Sequence, residues 1–121
     1  MIYIGTDIVP IFRIEKNIEK KKDRFLNHIF TPIEQRICNK KATPSIHYSG
    51  KFAAKEAIKK ALLSSKIIKN ISLKSIEIQN DDMGAPIINV ASTDIDVDPE
   101  KLKVSISHAG EYATSTAILE L

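Results

Sequence analysis

The chain has 121 residues, of which 43% are hydrophobic and 27% are charged. This composition supports one compact core and excludes a wholly disordered chain, so we expect a single domain over residues 1–121. A membrane span needs about 18 consecutive apolar residues, and the sequence has no such run. Cys38 is the only cysteine and has no intramolecular disulfide partner, so we expect a reducing, cytoplasmic environment.

Charge is divided unevenly along the chain, although the net charge is only +3. Residues 1–69 carry 15 Lys and Arg against 6 Asp and Glu, a net charge of +9. Residues 70–121 carry 3 against 9, a net charge of −6. A basic half favours an anionic partner: nucleic acid, a phosphate-bearing small molecule or an acidic protein. A solvated lysine-rich surface explains the same charge equally well.

The first thirty residues are predicted to form a strand followed by helical segments. The apolar run Ile2–Ile4 ends at Gly5 and predicts a short strand, with Asp7 just beyond it. Spaced apolar residues among many charges predict one or two amphipathic helices between residues 11 and 27.

Two further helices are predicted from capping signals and apolar periodicity. Thr31 is a suitable N-cap, Pro32 suits the first helical position and Glu34 completes a capping box, so a helix should run to about Lys40. The longest helix should cover about residues 46–65. Its apolar stripe consists of Ala53, Ala54, Ala57, Ile58, Ala61 and Leu62, with Phe52, Glu56 and Lys60 in a row opposite, flanked by Lys55 and Lys59.

The second half of the chain changes to a period of two, which is typical of strands. We predict a turn over residues 80–84 and an acidic loop over residues 92–100. The predicted strands are Ser72–Gln79, Pro86–Val90, Leu102–Ser107 and Tyr112–Leu121. The expected fold class is therefore α+β, with an N-terminal strand and helices packed on a mostly antiparallel sheet.

The side chains most suggestive of chemistry each have a structural alternative. Asp7, at a strand end beside a glycine, suits a hard cation, but a turn or capping role is the alternative. Glu56 precedes Lys60 by four residues, a spacing also typical of a surface ion pair. Phe52 on that charged helix face indicates that a ligand or another subunit covers the face. His108 ends a strand, where it is able to donate to a phosphate, and a simple loop histidine is the alternative.

Several other chemistries find no support in the sequence. Cys38 is predicted to be a buried helix residue and not a nucleophile. No G-x-S-x-G motif of a serine hydrolase and no G-x-x-x-x-G-K phosphate-binding loop is present.

Six short motifs, in order along the whole chain, resemble those of holo-acyl-carrier-protein synthase, the small bacterial 4′-phosphopantetheinyl transferase family. Each motif alone is weak evidence for the family, but the K-E-A and S-x-S-H motifs together, at the expected places in the chain, are specific. The matching segments are Gly5-Thr6-Asp7-Ile8-Val9, Arg13-Ile14, Phe30-Thr31-x-x-Glu34, Lys51-Phe52-Ala53-Ala54-Lys55-Glu56-Ala57, Gly84-x-Pro86 and Ser105-Ile106-Ser107-His108 followed by Tyr112-Ala113.

Three positions depart from the family pattern. The family usually has a glycine-rich stretch after the long helix, where this chain has Leu63-Ser64-Ser65-Lys66-Ile67. Pro10 stands where an acidic residue is usual, and Ala85 where lysine is frequent. These differences concern the affinity for the ligand more than the type of reaction, and Ser64, Ser65 or Lys66 are candidates to compensate.

The resemblance implies an enzyme that transfers the 4′-phosphopantetheine of coenzyme A to a serine of apo acyl carrier protein, in support of fatty acid biosynthesis. Adenosine 3′,5′-bisphosphate is the implied leaving product. Asp7 and Glu56 are the implied Mg²⁺ ligands, and Glu56 is also positioned to accept the proton of the serine. Lys60, one helical turn further on, would face the same phosphates.

Further binding residues and partners are implied by the same resemblance. A homotrimer with active sites between subunits is implied, and we expect Arg13 and Arg24 to contact the acidic carrier protein. The remaining substrate-binding candidates are Lys51, Gly84, Pro86, Ser107 and His108.

Two alternatives stay open at this stage. A basic nucleic-acid-binding module would use the +9 half against a phosphate backbone, but only 6% of the residues are aromatic and few are available for base stacking. An inactive transferase homologue is suggested by the missing glycine-rich stretch.

Overall fold

The computed structural model describes residues 1–91 and 96–121, so the first part of the predicted acidic loop, residues 92–95, lies outside the described residues. The elements form an α+β fold, which confirms the predicted fold class. In chain order they are β1 (Ile2–Pro10), α1 (Ile11–Lys21), α2 (Asp23–Ile29), α3 (Pro32–Asn39), α4 (Pro44–Ser64), a 3-10 turn (Leu73–Ser75), β2 (Ile76–Asn80), β3 (Pro86–Val90), a second 3-10 turn (Pro99–Lys101), β4 (Leu102–Ala109) and β5 (Tyr112–Glu120).

The strands form two antiparallel sheets. One has three strands in the order β1-β5-β4, and the other is the β2–β3 hairpin. In the larger sheet Gly5 pairs with Ala117 and Asp7 with Ser115, while Ser107 of β4 pairs with Thr114. Helix α4 packs against one face of this sheet, and its apolar stripe is fully buried there. None of the helices in the described part of the chain has the length and apolar character that crossing a bilayer requires.

Three strands have a boundary that differs from the predicted one by two residues or more. β1 continues past Gly5 to Pro10 because it pairs with β5 along its whole length, so Asp7 lies within the strand and not beyond it. Residues 72–75 are not part of β2, because Leu73–Ser75 form a 3-10 turn before the strand begins at Ile76. β4 extends two residues further than predicted, through His108 to Ala109.

Gly5 brings β1 unusually close to α4. A Cβ atom at this position would overlap the carbonyl oxygen of Ala57 and lie 2.8 Å from the amide nitrogen of Ala61. Val9, four residues later, shares a buried cluster with Ala53. The residues of β1 that face α4 therefore run toward the N-terminus of the helix, from Gly5 near Ala57 to Val9 near Ala53. Asp7 lies between these two positions on the same face of the strand.

A buried ion pair joins the helices to the β2–β3 hairpin. The side chains of Glu34 and Lys55 are fully buried and 2.5 Å apart, so Lys55, which flanks the row of Phe52, Glu56 and Lys60 in sequence, belongs to the buried side of α4. Lys55 also donates to the carbonyl oxygens of Ile29 and Leu73. Glu34 accepts from the Ile78 amide at 2.8 Å, in addition to the predicted capping box with Thr31, which is present. The carbonyl acceptors around Lys55 and the amide donors around Glu34 compensate the burial of the two charges.

Candidate active site

Asp7 and Lys60 are in contact on the surface where β1 meets α4. Asp7 faces the helix because it lies two residues after Gly5 in an alternating strand. Its Oδ1 atom is 3.1 Å from Nζ of Lys60, which also donates to the Thr6 carbonyl oxygen at 2.9 Å. Glu56, half-buried, is one turn earlier on the same face of α4 as Lys60. Two carboxylates and one ammonium group are therefore available to a ligand at this surface.

A cavity of about 660 Å³ lies at the other end of α4, between that helix, the β2–β3 turn and β4. Four of the five predicted substrate-binding residues line it: Lys51, Gly84, Pro86 and His108. Ser107 does not line it, although the neighbouring Ser105 and His108 do. Alternation along β4 puts Ser107 on the face of the sheet opposite His108.

The cavity is rich in basic groups. Lys41 and His47 line it together with Lys51 and His108. Lys51 is 5% exposed, and its Nζ atom donates to the Ile78 carbonyl oxygen at 2.8 Å. Burial lowers the pKa of Lys51 from its ordinary value. Burial lowers the pKa of His47 as well, with further contributions from the charges of Lys41, His108 and Lys51.

A groove of about 430 Å³ separates α1 and α2 from α4. Arg13 and Phe52 both line it, so the aromatic residue that stands out on the charged face of α4 forms one wall. Arg24 does not line this groove and is exposed on α2. The structure therefore places only one of the two predicted carrier-protein contacts in the groove.

A single chain does not bring all the candidate residues together. None of Asp7, Glu56 and Lys60 is among the described residues that line the cavity of Lys51 and His108. The two groups of residues form separate parts of the surface.

Sequence reasoning missed Lys41 and His47. A signal for His47 exists, because it precedes Lys51 by four residues and therefore lies on the same face of α4. Lys41 has no comparable signal. It follows α3, and only the tertiary fold places it in the cavity.

The segment that replaces the glycine-rich stretch caps the C-terminus of α4. Ser64 donates to the Lys60 carbonyl oxygen at 2.8 Å and Ser65 to that of Leu62 at 2.6 Å. Lys66 has a φ of 63°, in the left-handed region that favours glycine. The backbone therefore adopts a conformation suited to glycine even though no glycine is present.

Comparisons with known proteins agree with this fold and these motifs. A family model described as the 4′-phosphopantetheinyl transferase superfamily matches residues 3–117. The holo-[acyl-carrier-protein] synthase of Protochlamydia amoebophila is 44% identical over 117 residues, which cover 95% of this chain and 94% of that protein. The synthase of Chlamydia pneumoniae is 40% identical, with coverages of 98% and 96%.

Solved structures lead to the same family. The crystal structure of Helicobacter pylori holo-[acyl-carrier-protein] synthase in complex with coenzyme A matches with a TM-score of 0.83 and 33% identity, over 97% of this chain and 99% of that one. The Bacillus anthracis synthase, in complex with coenzyme A (3′,5′-ADP), matches with a TM-score of 0.76 and 36% identity, over 98% and 95%. The chain therefore belongs to the 4′-phosphopantetheinyl transferase superfamily, which confirms the resemblance found in the motifs. Its relatives within that superfamily are holo-acyl-carrier-protein synthases, and the nucleic-acid-binding alternative is not favoured.

Proposed function

We propose that this protein transfers the 4′-phosphopantetheine group of coenzyme A to a serine of apo acyl carrier protein. The observation that carries the proposal is the contact of Asp7 with Lys60, one helical turn from Glu56, on a fold shared with a synthase that binds coenzyme A. The products are holo acyl carrier protein and adenosine 3′,5′-bisphosphate. This activity would support fatty acid biosynthesis in the cytoplasm.

The chain's own residues supply proton transfer and charge neutralisation. Glu56 accepts the proton of the serine hydroxyl while the serine oxygen forms a bond to the phosphorus that carries pantetheine. The bond from that phosphorus to the adenosine bisphosphate oxygen breaks. Lys60 offsets the negative charge of the pyrophosphate, because its ammonium group lies on the same helix face one turn away.

Asp7 and Glu56 fit a magnesium ion. Within residues 1–91 and 96–121, no cluster of three or more His, Cys, Asp or Glu suited to a protein-only metal cage is found. Magnesium needs only one or two carboxylates when substrate phosphates and waters complete its shell. Asp7 already attracts a cation, the Lys60 ammonium group at 3.1 Å. A bound Mg²⁺ would neutralise pyrophosphate charge during the transfer.

We also propose a homotrimer in which neighbouring chains complete each active site. The support is that one chain carries Asp7, Glu56 and Lys60 on one part of its surface and Lys51, Gly84, Pro86 and His108 on another. In this arrangement the latter group, with Ser107, contacts the nucleotide of coenzyme A bound across the junction.

The face of the larger sheet opposite α4, which we call the outer sheet face, is a suitable surface for such contacts. Its β1 residues Ile2, Ile4 and Ile8 are 60%, 59% and 64% exposed, and Ile118 of β5 is 41% exposed. Contiguous exposed aliphatic side chains of this kind are typical of protein–protein interfaces. Ser107 also belongs to this face, which supports its contact with a ligand held between chains.

The acidic carrier protein is proposed to bind beside α1 and α2. Arg13 lines the groove with Phe52, and Arg24 is exposed on the adjoining helix. Lys20, Lys21 and Lys22 lie at the end of α1 and add positive charge to the same region. Charges at such positions increase the rate of association with an acidic partner.

The direct test is mass spectrometry of apo acyl carrier protein after incubation with this protein, coenzyme A and magnesium. The expected result is a gain of one phosphopantetheine group and release of adenosine 3′,5′-bisphosphate. Chelation should stop the reaction and added magnesium should restore it. Binding of coenzyme A without any transfer would support the inactive-homologue alternative, and absence of both would contradict the proposal.

Variants of the carboxylates test the mechanism. Glu56→Gln should lower the rate by a factor of about 10²–10⁴, the usual contribution of a general base, without unfolding the protein. Asp7→Asn should also lower it strongly. Glu100→Gln is the matched control, because among residues 1–91 and 96–121 this exposed carboxylate pairs with Lys103 alone, at 3.8 Å.

A further inference from the structure

His47 is an ionisable group that the family motifs do not include. It is half-buried on the first part of α4, and its side chain lines the 660 Å³ cavity. Five other charged or titratable residues face this cavity from the surrounding elements. They are Lys41 from the turn after α3, Lys51 from α4, His108 from β4, and Asp81 and Asp82 from the β2–β3 turn.

Asp81 does not act as an ion-pair partner for the basic residues of the cavity. Oδ1 of Asp81 accepts from the amides of Met83 and Ala85, both at 2.9 Å, so this carboxylate stabilises its own turn. Lys51, also buried, donates to the Ile78 carbonyl oxygen and forms no ion pair with a carboxylate among the described residues. His47 therefore lies among cations and has no described carboxylate partner of its own.

We propose that His47 binds the phosphate monoester of an incoming ligand and takes up a proton as it does so. The inference rests on the proposed function, because coenzyme A carries such a group at the 3′ position of its ribose. In the free cavity, burial first and the neighbouring cations second disfavour a charged imidazole. A phosphate monoester brings a charge of about −1.5 to −2 and reverses this balance, so the imidazolium becomes the favoured form.

The expected sign of the pH dependence follows from this coupling. In the free protein the pKa of His47 is lowered, so at pH 7 the imidazole is mainly neutral. A bound phosphate raises this pKa, and ligand affinity then decreases as the pH rises through the raised value. Each unit of difference between the two pKa values changes affinity by up to about tenfold across the window.

Calorimetry with coenzyme A at pH 7, in buffers of different ionisation enthalpy, measures the protons taken up on binding. The wild type should take up more protons than His47→Gln, and its affinity should increase more steeply between pH 8 and pH 6. His47→Lys keeps a positive charge that does not titrate in this range. It should therefore bind well but lose the same part of the pH dependence. His108→Gln controls for the second imidazole and should retain the contribution of His47.

Dephospho-coenzyme A, which lacks the 3′-phosphate, identifies the group involved. The difference in proton uptake between wild type and His47→Gln should disappear with this ligand, and its persistence would contradict a monoester contact. Equal proton uptake by the two proteins with coenzyme A would overturn the inference. If phosphopantetheine transfer still occurs in that case, the proposed function stands. Failure of the wild type to bind coenzyme A at all would overturn both.

Discussion

Gly5 determines how closely β1 approaches α4. The backbone of α4 occupies the space that a Cβ atom of residue 5 would need, and backbone cannot move aside as a flexible side chain can. The same close approach places Asp7, the next inward-facing residue, beside Lys60. A packing requirement and a functional contact are thus linked by the two-residue period of one strand.

Gly5→Ala should lower the free energy of unfolding by about 3 kcal/mol, the upper range for overpacking a buried site. Urea denaturation measures the effect. Gly50→Ala is the matched control, because its added methyl group would lie 3.0 Å from Cγ2 of Ile106, the end of a side chain that is able to shift. Alanine also favours a helix, so Gly50→Ala should change stability by less than about 1 kcal/mol. Equal stability of Gly5→Ala and wild type would contradict this account.

Arg13 is the residue at which the carrier-protein proposal is most directly tested. Arg13→Glu should raise the Michaelis constant for acyl carrier protein and leave that for coenzyme A nearly unchanged, because the groove that it lines is separate from the cavity of Lys51. Added salt should partly reproduce the effect in the wild type, since exposed charges are screened over about 8 Å.

Arg36→Glu, an equal charge reversal on α3, should have a much smaller effect. If Arg13→Glu changed neither Michaelis constant, the proposed contact of Arg13 with the carrier protein would be wrong. An equal rise in both constants would indicate a role in coenzyme A binding or in the subunit interface.

Among the secondary-structure elements, the β2–β3 hairpin depends on side chains from two helices. Glu34 of α3 binds the amide of Ile78 and Lys51 of α4 binds its carbonyl oxygen. These side chains satisfy the backbone groups of β2 that β3 does not reach. Gly84 and Pro86 belong to this hairpin and line the cavity. The two helices that hold the hairpin therefore also position this wall of the cavity.

The buried ion pair of Glu34 and Lys55 is expected to contribute strongly to stability. Glu34→Gln leaves the Lys55 ammonium group buried without a carboxylate, which should cost about 3–5 kcal/mol in urea denaturation. The double variant Glu34→Gln with Lys55→Met should lose less than the sum of the single variants. Lys103→Met, which breaks an exposed pair, should cost under about 1 kcal/mol. Additive losses in the double variant would show that the pair is not coupled.

The end of α4 carries backbone strain that can be removed. A left-handed conformation costs a residue other than glycine about 1–2 kcal/mol, and glycine loses about 0.5–1 kcal/mol through the entropy of the unfolded chain. Lys66→Gly should therefore stabilise the protein by up to about 1 kcal/mol. Lys69→Gly, at a position without a positive φ, should not stabilise it. A decrease in melting temperature for Lys66→Gly would show that the lysine side chain makes a compensating contact.

At the scale of the whole molecule, the uncovered part of the larger sheet is the main unpartnered surface. Its inner face is buried by α4, whereas the outer sheet face exposes isoleucines that a monomer leaves in water. In the proposed trimer these side chains become buried, and the residues around Asp7 and the cavity of His108 meet at the junction. Catalysis would then require assembly through the outer sheet face.

Ile4→Asp should dissociate the assembly, because it places a charge within an interface while leaving the buried core of the chain unchanged. Sedimentation velocity measures the oligomeric state, and transfer activity should be lost together with the trimer. Ile87→Asp is the matched control, since Ile87 is 44% exposed but lies on β3 of the other sheet. A wild-type protein that is monomeric and fully active would contradict the shared site.

Local features of the sequence determined much of this description. The capping box of Thr31 and Glu34, the apolar stripe of α4 and the alternation of β4 depend on residues a few positions apart, and the structure contains them as predicted. Only the tertiary structure decided which distant residues meet. The burial of Lys55 on Glu34, the pairing that extends β1 to Pro10 and the position of His47 and Lys41 in one cavity all join segments far apart in the chain. Such contacts depend on how the elements pack, and that packing is determined by the whole core and not by any single segment.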